Sequence, residues 1–281
     1  MVRATDLVVE PQRDRQAAVA PAPSPLRPPL KWAGGKRWQL PYLRELWVRH
    51  KNRRLVEPFC GGLAVALGLR PRRALLNDTN PHLIHFYQSV RRGLSNDLAL
   101  KNDETAFYQC RERFNRLIAE NRSDTTEAAL LFYYLNRTGY NGLCRFNRRG
   151  LFNVPFGRYT TINYVSNFDI YTAVFSSWTF TSTDFSEVAV GPDDIIYADP
   201  PYDVPFTQYS PGGFDWNEQI RTAEWLATHK GPVILTNQAS DRVVTLYRKL
   251  GFNLTYLQAP RMISCTGKRQ RVCEVLASRH L

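Results

Sequence analysis

The sequence predicts an α/β fold: a doubly wound, Rossmann-like sheet carrying a helical insertion. Three observations predict it. First, a short apolar strand at Leu55 and Val56 runs into Glu57 and a Gly61-Gly62 turn, then an apolar helix, then a second strand over 74–76 that ends at Asn77-Asp78. Strand, glycine turn, helix and strand with a terminal acid is the pattern of a nucleotide-binding βαβ unit. Second, strand signals return at 178–181, at 195–197 and in Pro232-Val233-Ile234-Leu235, with a helix over 217–229 between the last two and a closing hairpin after them. Third, the alternation breaks between about 91 and 165, where apolar residues Phe107, Cys110, Phe114, Leu117 and Ile118 recur at helical spacing.

In chain order, residues 1–27 are rich in Pro, Ala and Arg without an apolar period, and read as a disordered leader. Order is expected from near Leu30, and Leu40, Leu43, Leu46 and Trp47 lie at helical spacing. Asn80 followed by Pro81 opens a further helix, a polar cap with proline in the first turn. Helices are expected over 104–121 and 125–135, and the stretch after them is a loop or hairpin dense in Arg, Asn, Gly and aromatics. The expected division is a catalytic domain of 28–80 and 167–281, interrupted by a target-binding module over 81–166, with an antiparallel strand at the carboxyl end.

Lys and Arg number 37 against 25 Asp and Glu, a formal charge of +12 over 281 residues. Such an excess favours a polyanion, because neutralised phosphates release condensed counterions; a membrane surface or plain solubility would use the same charge. Five scattered cysteines (Cys60, Cys110, Cys144, Cys265, Cys273) form no Cys-x-x-Cys pair, which argues against zinc and against a disulfide framework. His82 and His85 share a helix, but no further ligand completes a metal set, and a packed or solvated pair is expected. No apolar run is long enough to span a bilayer, so a soluble, cytoplasmic protein is expected.

Three motifs carry chemistry. Glu57-Pro58-Phe59-Cys60-Gly61-Gly62 with Asp78 suits a nucleoside ligand: glycines admit close approach and the acid can accept bonds from ribose hydroxyls, although a plain strand-to-helix turn would look similar. Its lack of a three-glycine fingerprint counts against hydride transfer. Asp199-Pro200-Pro201-Tyr202 follows the strand Ile195-Ile196-Tyr197. Two prolines fix an extended course and remove two donors, so a carboxylate, carbonyl oxygens and an aromatic face remain on offer. Two acceptors on one conjugated amine favour a pyramidal, more nucleophilic nitrogen, and Tyr202 can stack on a base. Asn136-Arg137-Thr138-Gly139-Tyr140-Asn141-Gly142-Leu143-Cys144-Arg145 combines side chains that grip phosphate, bond base edges or wedge between bases; the sequence does not sort these roles.

Together these stretches resemble the Dam-type family of DNA adenine-N6 methyltransferases (the alpha group, D12 class), from Leu30 to the carboxyl end. The resemblance implies a class I methyltransferase sheet, S-adenosylmethionine as cofactor and double-stranded DNA as partner, with no membrane and no obligatory protein partner; a monomer is the default. Lys31-Trp32-Ala33-Gly34-Gly35-Lys36 resembles the family's opening motif, so Trp32 and Lys36 would border the methionine part of the cofactor. Glu57, Phe59 and Gly61 match its glycine motif, Asp78 the ribose acid, and Asp184 with Phe185 the segment at the cofactor adenine. Asp199, Pro200, Pro201 and Tyr202 match the catalytic motif, Asp199 also bordering the cofactor.

The block 136–159 resembles the family's recognition hairpin. By that likeness Lys31 and Arg145 read guanine, Tyr140 and Leu143 wedge into the site, Asn141 assists, Pro155 touches a thymine methyl, Arg137 holds phosphate and Tyr159 completes the DNA-binding set. The implied target is GATC or a related short site, with the adenine flipped from the duplex. Three departures stand out: the Pro-rich leader is extra, Thr160-Thr161 replaces lysines common in the family, and the loop 262–271 is reworked. Protein-glutamine relatives carry Asn where Asp199 stands. A cytosine-N4 methyltransferase and a catalytically decayed DNA-binding regulator are the alternatives.

Overall fold

The computed structural model describes residues 26–96, 101–202, 214–259 and 272–281. The leader up to residue 25 and the loop 262–271 lie outside the described residues. Among the described residues seven strands form one sheet: β1 (Leu55–Glu57), β2 (Ala74–Asn77), β3 (Trp178–Thr181), β4 (Ile195–Ala198), β5 (Val233–Gln238), β6 (Asn253–Ala259) and β7 (Val272–Arg279). Their order is β3-β2-β1-β4-β5-β7-β6. β1, β2 and β4 are wholly buried, as parallel strands covered on both faces must be.

The parallel register pairs Leu55 with Ala74 on one side and with Ile195 on the other. β7 runs antiparallel between β5 and β6, the expected closing hairpin. The direction of winding reverses between β1 and β4, so a crevice opens beyond their carboxyl ends. This order, with β7 reversed, is the class I methyltransferase sheet.

Among the described residues eight α-helices accompany it: α1 (Leu40–Val48), α2 (Ala64–Leu69), α3 (Pro81–Arg91), α4 (Glu104–Ala119), α5 (Thr126–Thr138), α6 (Asp169–Phe175), α7 (Trp216–Thr228) and α8 (Asp241–Lys249). The Asn80 side chain caps α3, accepting from the amides of His82 and Leu83, with Pro81 in the first turn. Asp103 and Thr125 cap α4 and α5 in the same way.

One face of α3 serves the sheet: the Tyr87 hydroxyl donates to Gly61 O and Gln88 Nε2 donates to Phe180 O. Its other face stacks Phe86 on Tyr133 of α5, centroids 5.6 Å apart. The aromatic core is therefore continuous across the division expected after residue 80.

The structure differs from the sequence-based expectation at two points that bear on the site. Leu26 and Arg27, inside the expected leader, take part in the fold: Leu26 packs on the core, and the Arg27 carbonyl accepts a bond from the Tyr171 hydroxyl. α5 continues to Thr138, so Asn136 and Arg137 are helical, because Asn136 finds tertiary partners and Thr138 Oγ1 bonds back to Tyr134 O. Beyond it the recognition stretch is a loop with a short turn at Tyr140–Gly142 and two isolated bridges, Gly139 to Phe156 and Phe146 to Phe152.

His82 stacks on Phe146 at 4.9 Å, and burial lowers its pKa to about 4. His82 and His85 are thus a packed pair, and no metal-binding cluster occurs among the described residues. Among those residues no helix is long and apolar enough to cross a membrane.

Candidate active site and DNA interface

Asp199 follows the last residue of β4, at the switch point. Its Oδ1 lies 3.1 Å from Lys36 Nζ, and the Lys36 side chain is only 5% exposed. The same ammonium donates to Gly34 O and stands 4.5 Å over the Tyr202 ring. Burial pushes the Asp199 carboxyl up to about 6, against the opposing pull of Lys36. Glu57, at the end of β1, is buried with Oε1 unpartnered, and burial followed by the Asp199 charge raises its pKa well above the ordinary range. Residues far apart in sequence thus converge where β1 and β4 diverge.

The course of the Asp199-Pro200-Pro201-Tyr202 segment is held from behind. Gln219 Nε2 of α7 donates to Pro201 O at 2.6 Å, and Asn237 Nδ2 of β5 donates to Gln219 Oε1 at 2.9 Å. Both side chains are buried. Neither was legible as a site residue, since an amide inside an ordinary helix or strand has no sequence signature.

Beside this lies the glycine turn. Gly61 has φ +43°, and a Cβ added there or at Gly62 would come within 2.6 Å of Trp32, which packs on the turn. The Asp78 carboxylate accepts the amides of Gly61 and Asn80 at 3.1 and 3.0 Å, so it shapes the turn as well as facing the crevice edge. Asn77, one residue earlier and read in the sequence only as a strand end, is fully buried. Its Nδ2 donates to Pro58 O and Thr183 O, and its Oδ1 accepts from Thr181 and Thr183, joining the loops after β1 and β3.

Asp184 lies in the loop after β3 and accepts both Arg221 Nη atoms at 2.7 Å and the Ser186 amide. Arg221 holds its carboxyl well below the usual carboxylate range. Phe185 is buried between Phe59 at 5.4 Å and Trp225 at 5.6 Å, with the Arg221 guanidinium 4.0 Å over its ring. Phe185 is therefore the floor of this corner, and Phe59, half-buried, is the ring nearer the opening.

On the recognition side, Lys31 Nζ donates to Arg137 O at 3.0 Å and sits 3.4 Å over the Tyr159 ring. Burial, then the Arg137 charge, lowers its pKa to about 8. The Arg137 guanidinium turns inward to the carbonyls of Asn163 and Pro29. Tyr140 is 49% exposed, Asn141 is exposed with φ +51°, Leu143 is half-buried and Pro155 is exposed. Arg145 is exposed and braced by Asn153, Nε to Oδ1 at 2.8 Å. Tyr159 donates its hydroxyl to Gly139 O. Lys31, Arg137 and Tyr159 thus form one cluster, while Tyr140, Asn141, Arg145 and Pro155 present an exposed surface.

Comparison with known proteins decides what this assembly belongs to. The family model of D12 class N6 adenine-specific DNA methyltransferases matches residues 32–263. The chain belongs to this family. This D12 methyltransferase is 35% identical to the DNA adenine methylase of Escherichia coli strain K12, over 88% of this chain and 93% of that protein. It is 33% identical to the retron Ec67 DNA adenine methylase of Escherichia coli, over 88% and 90%. It is also 33% identical to the DNA N-6-adenine-methyltransferase of Escherichia phage P1, matching 94% of this chain but spanning only 36% of that longer protein. Family membership makes the chain an adenine-N6 DNA methyltransferase, and the alternatives of a cytosine-N4 enzyme and a decayed regulator give way to it.

Proposed function

We propose that this D12 enzyme methylates N6 of adenine in duplex DNA at GATC or a closely related short site, with S-adenosylmethionine as donor and the target base flipped into the crevice. The convergence of Asp199, Lys36, Glu57 and Tyr202 at the switch point carries the reading. The crevice suits that donor. A buried carboxyl oxygen without a partner, as at Glu57 Oε1, is a standing cost that a cationic ligand beside it relieves. The crowding of Trp32 against Gly61 and Gly62 leaves the turn no room for side chains, and Asp78 retains acceptor capacity for ribose hydroxyls.

Bound S-adenosylmethionine supplies an electrophilic methyl group on a positively charged sulfur. Trp32, Lys36, Glu57, Phe59, Gly61 and Asp78 would hold it, with Asp184 and Phe185 shaping the adenine corner. Because Gln219 occupies the Pro201 carbonyl, the acceptors left for the target amine are the Asp199 carboxylate and the Pro200 carbonyl. Together they orient its two N–H groups, and Tyr202 supplies a face for the base. Alignment of two substrates is the main source of rate, and the surplus proton passes to water.

For the DNA we assign base reading to Lys31 and Arg145, wedging to Tyr140 and Leu143, and supporting contacts to Asn141, Pro155 and Tyr159. A phosphate contact by Arg137 requires it to leave the Pro29 and Asn163 carbonyls. The module 81–166 supplies most of these groups and the enzyme acts as a monomer in the cytoplasm, where DNA is the partner. Single-molecule mapping of methylated adenines in DNA from cells expressing the chain tests this. Modification of GATC is expected; modification of a different motif overturns the assignment of the recognition loop.

A further inference from the structure

Asn136 lies in the last turn of α5, yet its side chain serves a residue 105 positions away. The Lys31 amide donates to Asn136 Oδ1 at 2.8 Å, and Asn136 Nδ2 donates to Lys31 O at 2.8 Å. The carboxamide therefore pairs with both backbone groups of Lys31, as a neighbouring strand would, and Asn136 is 1% exposed. Two buried bonds in a fixed geometry define a position more sharply than packing does.

Lys31 is enclosed from the other side by Gly142, where an added Cβ would stand 2.3 Å from the Lys31 Cβ. Its ammonium meets the Arg137 carbonyl and the Tyr159 ring. The next residue, Trp32, packs on the glycine turn. A second tie joins the same two regions: Asn80 Nδ2, next to the Asp78 carboxylate, donates to Cys144 Sγ at 3.2 Å, between Leu143 and Arg145.

We propose that Asn136 is the positioning residue for base reading: it fixes Lys31 between the recognition loop and the glycine turn, and so sets the discrimination made at the base pair Lys31 faces. The proposal rests on the reading of Lys31 as a base contact. Asn136 touches neither DNA nor donor; it acts through the Lys31 backbone. An apolar side chain of the same shape removes both bonds without opening a cavity, so the loss falls on where Lys31 points. Gly142 bounds the same residue opposite, and a methyl group there displaces it by a different route.

The test compares four full-length variants: Asn136→Leu, Gly142→Ala, Lys31→Ala and the double variant Asn136→Leu with Lys31→Ala. For each, kcat/KM is measured on a GATC duplex and on duplexes altered at one base pair at a time, with thermal melting to confirm folding. Asn136→Leu is expected to lower discrimination about tenfold at the pair where Lys31→Ala lowers it, and to leave the other pairs unchanged. The double variant is expected to be no worse than Lys31→Ala. Gly142→Ala supplies the same reading if Asn136→Leu does not fold. A loss spread evenly over all pairs, or no loss in either variant while Lys31→Ala shows one, overturns the positioning role and leaves the Lys31 assignment standing. Full discrimination by Lys31→Ala removes the assignment itself, and the proposal with it.

Discussion

The catalytic crevice and the recognition loop are built by opposite means. Asp199, Glu57 and Lys36 sit at strand ends or in buried loops, and the Asp199 carboxyl rises to about 6 because burial outweighs a lysine 3.1 Å away. The recognition loop is held by two isolated bridges and by side-chain braces such as Asn153 under Arg145, and its Tyr140, Asn141, Arg145 and Pro155 are exposed. Desolvated charge in a rigid frame suits a reaction that needs two reactants aligned. Exposed, braced donors suit reading, because a base edge must displace only water or a neighbouring amide to meet them. Chemistry and specificity should therefore be separable by mutation.

The sharpest break is Asp199→Ala. Methylation is expected to fall below detection while donor binding, followed by calorimetry, stays largely intact. Substantial turnover by this variant would remove Asp199 from the chemistry. On the other side, Arg145→Ala should lower discrimination at one guanine by about 1–3 kcal/mol, the range for a base contact of this kind. Its turnover on saturating cognate duplex should change little. A collapse of kcat instead would mean that the loop helps build the reactive centre, and the two regions would no longer be distinct.

Much of this division was legible in the sequence, and unevenly. Short continuous apolar runs and the paired glycines located β1, β2 and the turn between them, because strands buried on both faces read as uninterrupted apolar residues. The convergence of Lys36 with Asp199 follows from topology and has no local mark. Asn77, Gln219 and Asn237 escaped as site residues, and Asn136 was grouped with the DNA-contacting stretch, because a buried amide is defined by its partners, which here lie 19, 18, 18 and 105 residues away. Arg137 was assigned to phosphate by the family likeness, and an arginine in a polar stretch gives no clue that Asn163 and Pro29 carbonyls wait for it.

The two regions should also part along the pH axis. Asp199 must be ionised to accept from the amine, so turnover is expected to fall as pH drops through about 6. Lys36 lowers that value, so Lys36→Met should move the limb upward, by about one unit and hence about tenfold in rate on its acid side. Lys31 titrates in the other direction: its ammonium is present below about 8 and lost above it. Base discrimination should therefore weaken on the alkaline side in a variant with an unchanged acid limb. Single-turnover rates across pH on cognate and altered duplexes separate the two limbs. A single limb shared by rate and discrimination would argue against independent regions.

The smallest effect is expected at Arg221→Ala. Its guanidinium binds both oxygens of Asp184 and lies over Phe185, a corner belonging to the crevice but built at the surface. The pair is 40% and 39% exposed, so water screens most of its attraction, and such pairs contribute about 0–1 kcal/mol. Ser186 also keeps two bonds to Asp184 when the arginine is gone, so the loop retains its course. Donor dissociation should rise about two- to fivefold, within that energy range, while kcat at saturating donor holds. Titrating donor binding calorimetrically and following methylation at saturation distinguishes the two parameters. If kcat instead falls tenfold or more, the adenine corner is mechanically continuous with Asp199, and the catalytic region extends to a surface that its exposure would place outside it.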